Sequence, residues 1–176
     1  MRMKTVALAV ALTILSTEMA RAEVVVELNQ LLSDGTIGPS IGTVTLSDSE
    51  YGLLVSPNLE QLEPGLHGFH IHANPTCEAA TNSEGKLVPG LMAGGHFDPE
   101  ETGTHLGPYA EGGHLGDLPV LYVDSEGVAA VPSLAPKVTE SDLAGRALIV
   151  HAGADNYSDI PSKLGGGGAR FACGVF

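Results

Sequence analysis

The sequence predicts an all-β fold, an antiparallel sandwich or barrel of about eight strands. Three features point there. Short segments of β-type composition recur along the chain, and Gly, Pro, Asn and Asp punctuate them. Helical periodicity is almost absent. Two long segments poor in apolar residues interrupt the series, so the strands are expected to carry two long functional loops.

Residues 1–22 are set apart from this pattern. Arg2 and Lys4 give a positive start, Val6–Leu15 is an apolar run, and Ala20-Arg21-Ala22 places small residues around a cut. Together they predict a secretory signal peptide removed after Ala22. The rival reading, a membrane anchor, finds no second apolar run or stop-transfer pattern to support it. Removal leaves residues 23–176, the size of one domain with room for a core and no membrane attachment.

Within that domain the first strand is placed at Val24–Leu31, followed by the turn signal Ser33-Asp34-Gly35. Ile41–Leu46 and Gly52–Ser56 come next, and then His67–Ala73, where Phe69 and Ile71 alternate with His70 and His72. Leu118–Val123 and Gly127–Val131 flank the turn signal Ser125-Glu126-Gly127. Ala147–His151 is an apolar run closed by a histidine, and Ala169–Val175 follows the four glycines Gly165–Gly168. Thr139–Leu143 reads as a single helical turn capped by Thr139 or Ser141. No internal repeat or interdomain linker is visible. The two interrupting loops are Asn74–Gly116, 43 residues long, and Ala152–Gly168. Ordering a loop costs roughly 1–2 kcal/mol of backbone entropy per residue, so a disulfide and a metal are the expected compensation.

The chain carries −13 at neutral pH; the leader accounts for a net +2, so residues 23–176 carry −15. That acidity argues against nucleic acid as a partner, which needs a basic footprint. Cys77 and Cys173 are the only cysteines. In an oxidising compartment they are expected to pair, with two free thiols as the alternative. The bridge would close a loop of about 96 residues, which the chain-entropy estimate values at up to about 4.7 kcal/mol.

Histidines carry the chemistry. On a strand, His70 and His72 share one face about 6–7 Å apart, and Phe69 and Ile71 take the other. Such a pair can bind one metal ion; two exposed polar residues on a solvated face are the plainer reading. His67 has the parity of Phe69 and Ile71, so it is expected inside, satisfied by backbone groups. His96, His105, His114 and Asp117 follow at spacings of nine, nine and three among glycines. Three imidazoles and a carboxylate make a closed tetrahedral zinc set; scattered histidines in a polar loop are the alternative. His151 ends its apolar strand, with Asp155 four residues on and Arg170 three before Cys173. A permanently charged arginine binds small anions well, and a Cys77–Cys173 bridge would draw it toward the strand of His70 and His72. A surface salt bridge is its plainer reading.

GFHIH, GGHFDP, HLGDLP, VHAGADN and GGGGARFACGV, in that order, resemble the copper,zinc superoxide dismutases, specifically the exported bacterial branch. The resemblance runs from about Val24 to Phe176. It implies an eight-stranded antiparallel Greek-key barrel of immunoglobulin-like architecture, copper and zinc as cofactors, and superoxide anion as substrate. It implies the periplasm as location. Residue by residue it implies copper ligation by His70, His72, His96 and His151, and zinc ligation by His96, His105, His114 and Asp117. His96 would be shared by both ions as an imidazolate. Asp155 would hold His70 and His105 in orientation, Arg170 would guide the anion, and Cys77 and Cys173 would form the disulfide. Dismutation would alternate reduction and reoxidation of the copper, with His96 and Arg170 as the catalytic side chains.

Two other classes compete. A non-catalytic copper-buffering protein on the same fold would need neither a bridging His96 nor Arg170. A zinc hydrolase would need an open zinc position, whereas the three-histidine, one-aspartate set is closed. A net charge of −15 opposes an anionic substrate, so a local positive patch must act within the Debye length of about 8 Å at physiological salt. Lys86 and Lys163 are expected to join Arg170 there; solvated surface lysines are the alternative. For assembly, Leu121, Tyr122 and Val131 offer an apolar patch that favours a homodimer, unless they merely close the barrel.

Overall fold

A computed structural model describes residues 23–176; the expected signal peptide, 1–22, lies outside the described residues. Among the described residues, eleven strands run in chain order: β1 Val24–Leu31, β2 Ile37–Ser49, β3 Gly52–Leu59, β4 Gly65–His67, β5 Phe69–His72, β6 Ala80–Thr81, β7 Leu87–Val88, β8 Leu121–Val123, β9 Ser133–Ala135, β10 Ala147–His151 and β11 Arg170–Val175. Seven form one sheet in the order β5-β10-β11-β1-β2-β3-β9, every pair antiparallel. β4, separated from β5 only by Gly68, pairs with β8. A single bridge from Leu59 to Ala129 brings the β8–β9 connection against β3, so the sheet curls toward closure. This is the expected all-β barrel.

Alternation drives the burial. Val26 and Leu28 of β1, Leu53, Val55 and Leu59 of β3, and Phe69 and Ile71 of β5 point into one core with Leu148 and Val150 of β10. β10 is buried on both faces. Its outer residues Ala147 and Ile149 pack with Leu31, Ala93, Cys77 and Cys173 in a second, smaller cluster beneath the first loop. The Cys77–Cys173 disulfide joins that loop to β11, with Cα atoms 5.8 Å apart.

The boundaries of β1 and β10 are those expected from the sequence. Others differ for local reasons. The strand expected over His67–Ala73 breaks at Gly68, whose N–H and C=O pair with Gly153 and His151. Leu118–Val123 shortens to β8 because Pro119 has no N–H to donate. Gly127–Val131 is not a strand: Asp124 closes a turn with Val128, only Ala129 bridges, and pairing resumes at β9 beyond Pro132. The first loop is not structureless either. It holds the β6–β7 hairpin and a 3-10 turn at Leu91–Ala93. Thr139 caps the turn Glu140–Asp142, its N–H donating to Asp142 Oδ2 at 2.9 Å.

Candidate metal centre

Strand register assembles the first half of the site. β5 pairs with β10 so that His70 faces Ile149 and His72 faces Ala147. His70, His72 and His151 therefore share the outer face of the sheet, and Phe69 and Ile71 fill the barrel. The His70 and His72 ring centroids are 6.4 Å apart, as same-face strand neighbours should be. His67 is on the opposite face and is no part of the site. Its ring nitrogens each lie 2.8 Å from a backbone carbonyl, of His151 and Glu63.

The second half is laid onto β5 by the backbone. Ala73 donates to Gly95 O, Phe97 to Ile71 O, Ile71 to Gly116 O and Leu118 to Phe69 O. These bonds align His96 with His72 and Asp117 with His70. His96 then sits centrally: its ring centroid is 3.8 Å from His70, 5.1 Å from His72, 6.0 Å from His151, 5.3 Å from His105 and 5.4 Å from His114.

Five of the six rings have one nitrogen in a hydrogen bond. His70 Nε2 donates to Asp155 Oδ2 at 2.7 Å and His105 Nε2 to Asp155 Oδ1 at 2.8 Å. His72 Nδ1 donates to Gly94 O at 2.9 Å and His151 Nδ1 to Gly168 O at 3.2 Å. His96 Nδ1 lies 2.8 Å from Asp117 Oδ1. The remaining nitrogens converge. Nδ1 of His70, His105 and His114 and Nε2 of His72, His96 and His151 are buried without a hydrogen-bond partner. A buried unsatisfied polar atom costs about 1–3 kcal/mol; six in one place fit a cationic ligand, and fixing the N–H side is how proteins aim imidazole lone pairs at a metal.

Two tight donor groups result: His70, His72, His96 and His151, and His70, His96, His105 and Asp117. The second has His70 where the sequence predicts His114. His70 enters it because its ring stacks on His96, but its Nε2 is engaged by Asp155. His114 Nδ1 instead lies 3.4 Å from Asp117 Oδ1, and His105 Nδ1 lies 2.9 Å from Asp117 Oδ2. At that range a proton or a metal ion must lie between nitrogen and carboxylate, so His114 can join His105 and Asp117 around one cation.

Electrostatics separate the halves. Burial pushes His70 down to about 3 and His151 to about 4, and neighbouring positive groups push the same way. Burial also holds His72 well below its usual range. His105 is the opposite case: burial opposes its charge, but Asp117 and Asp155 outweigh it and raise it to about 9. Both carboxylates, despite burial, are held far below the usual range by their histidine partners.

Arg170 reaches the site from β11, beside His151 in register. Its guanidinium donates to the carbonyls of Gly90 and Gly94, tying it to the loop that also orients His72. Lys86 and Arg170 line one surface depression of about 510 Å³, and Lys163 is exposed beside Asp159. Several contributors escape the sequence patterns. The carbonyls of Gly94 and Gly168 orient rings, and Gly165, at φ 70°, leaves no room for a Cβ against the Asp155 carboxylate. The Gly165–Gly168 run is the only sequence signal for the last two.

Comparison with known proteins agrees with this construction. Residues 40–176 match the family described as Copper/zinc superoxide dismutase (SODC). The chain is 53% identical over 158 residues to Superoxide dismutase [Cu-Zn] 1 of Salmonella typhimurium, covering 89% of this chain and 88% of the relative. The Cu/Zn superoxide dismutase from Brucella abortus superposes with a TM-score of 0.84 at 46% identity, covering 88% of this chain and 99% of that one. The solution structure of the monomeric copper, zinc superoxide dismutase from Salmonella enterica gives 0.77 at 49% identity, with the same coverage. On the extent of these matches, the chain belongs to the copper/zinc superoxide dismutase family.

Proposed function

We propose that this chain dismutes superoxide to dioxygen and hydrogen peroxide, with copper held by His70, His72, His96 and His151 and zinc by His96, His105, His114 and Asp117. The observation that carries it is His96, whose Nδ1 faces Asp117 and whose Nε2 is buried and unpartnered among the copper-side rings. Four imidazoles suit copper, and three nitrogens with one carboxylate suit zinc. Once bound, copper supplies a one-electron couple, oxidising one superoxide to dioxygen and reducing a second, with two protons, to hydrogen peroxide, and zinc supplies fixed charge.

The chain's own groups do the rest. Arg170, immobilised on Gly90 and Gly94, gives the anion a fixed positive partner without titrating. His96 holds one of the two protons at Nε2, while its Nδ1 stays on the zinc side, beside Asp117. Asp155 locks His70 and His105 together, so one carboxylate orients a ring in each half. Lys86 joins Arg170 in steering the anion against the overall negative field, as their shared depression supports. Lys163 contributes less because Asp159 is close by.

Residues 1–22 are proposed to export the chain to the periplasm, where 23–176 works and the Cys77–Cys173 bridge is stable. Assembly carries a second reading. The Salmonella enterica relative is titled monomeric. Leu121 is buried and closes the barrel, but Leu66 and Tyr122 are cross-strand partners on β4 and β8, both about half exposed with Val131. That apolar face supports a homodimer, which sedimentation of the metallated protein decides.

The dismutase reading is tested by superoxide consumption with both metals loaded and again after copper removal. Activity should vanish with the copper. A fully loaded protein that consumes no superoxide would favour copper buffering instead.

A further inference from the structure

We propose that Tyr157 is a positioning residue that clamps the two loops together and sets how tightly zinc is retained; this rests on the zinc assignment above. The second loop reaches the first through Asp155–Asp159. Asp155 takes the His105 ring, and Asp159 Oδ2 accepts the His105 backbone N–H at 3.0 Å. Tyr157 lies between them and engages both carboxylates of the centre by separate routes.

Its backbone N–H donates to Asp155 Oδ1 at 2.7 Å, the same oxygen that accepts His105 Nε2–H. Its ring packs on Gly107 so closely that a Cβ there would lie 2.5 Å from Tyr157 Cγ. The Gly107 N–H in turn donates to Asp117 Oδ2 at 3.2 Å. Its hydroxyl accepts the Val120 N–H at 2.9 Å, three residues past Asp117. The side chain thus grips the backbone on both sides of Asp117. The residue adopts φ 58°, left-handed backbone that an aromatic residue occupies only where its surroundings hold it. Asp155 also holds His70 through Oδ2, but the ring and hydroxyl of Tyr157 bear only on Gly107 and Val120, which flank Asp117, so the side chain's effect should fall on zinc.

The test compares zinc release to a chromophoric chelator from the fully loaded wild type, Tyr157→Phe and Tyr157→Ala. Cobalt(II) placed at the zinc set gives a second readout through its visible absorption. Outer-shell partners of a metal site change affinity by roughly 10–100-fold. Tyr157→Ala should therefore release zinc about 10–100 times faster and alter the cobalt band, and Tyr157→Phe, which keeps the ring on Gly107 but loses the hydroxyl that accepts the Val120 N–H, should release it about two- to threefold faster. Wild-type release and an unchanged cobalt band in Tyr157→Ala, with only a lower Tm, would overturn the proposal. Should that variant not fold, Tyr157→Phe decides alone: measurably faster release supports the clamp and a wild-type rate overturns it. A wild type that holds no zinc, or a His114→Ala variant that keeps it, would overturn the zinc assignment and the clamp with it.

Discussion

His70, His72 and His151 stand on β5 and β10, within the hydrogen-bonded sheet, whereas His105 and His114 come from the 43-residue loop and Asp117 directly follows it. The first three need only the strand pairing that also builds the barrel, because their positions follow from register. The loop residues need borrowed constraints: backbone bonds to β5, the Asp155 carboxylate, and the disulfide to β11. The electrostatics differ in the same sense. Without metal, burial favours the neutral form of the strand histidines, whereas two carboxylates favour the cationic form of His105. A site can thus be half framework and half annex, and perturbations should tell the halves apart.

The largest effect should come from the disulfide. Cys173→Ser removes a cross-link across 96 residues, expected to cost about 2–5 kcal/mol of stability. Thermal unfolding would show it, and zinc should be lost more readily than copper. Equal loss of both metals would erase the distinction. Next is Gly165→Ala, which sets a methyl group against Asp155 and strains a left-handed backbone, at about 1–3 kcal/mol. Metal analysis should find zinc reduced first, since His105 has no strand to hold it.

Acid and alkali should separate the halves in metal-free protein. Free histidine titrates near 6.5. His105, raised to about 9, stabilises the fold below 6.5, and that contribution disappears as pH rises through 9. His70 and His151, lowered to about 3 and 4, penalise the fold as pH falls from 6.5 toward those values. Tm should therefore peak near neutrality and fall on both sides, by about 2–4 °C for each kcal/mol in a domain of this size. His105→Gln should flatten the alkaline limb and leave the acid limb intact. The smallest effect belongs to steering. Neutralising Lys86 should slow the reaction a few-fold at low ionic strength and less at high salt, and neutralising Lys163 less still. An unchanged rate and salt dependence in the double variant would remove both lysines from the account.

The same division governed what could be read in advance. β-type composition placed β1 and β10, and period-two alternation put His70 and His72 on one face, with His67 turned inward. Alternation is a local property, so a single sequence carries it. Gly127–Val131 misled because Val, Ala and Gly satisfy strand composition while the Asp124 turn consumes the backbone bonds. In the loop, glycine-flanked histidines with Asp117 signalled a zinc set apart from the His70 and His72 pair, but only the family resemblance added His151 to that pair and shared His96 between the two. The Gly94 and Gly168 carbonyls, the Gly107–Tyr157 contact and the Asp159 bond to His105 stayed hidden. Each joins segments distant in sequence through groups with no distinctive pattern of their own.

His96 is proposed to serve two ions through one ring, and electron paramagnetic resonance of protein loaded with Cu(II) at both sets tests this directly. A shared imidazolate couples the two spins, so the ordinary Cu(II) signal should be strongly suppressed in the wild type and recover in His96→Ala. Two independent, uncoupled Cu(II) signals in the wild type would contradict the shared ring.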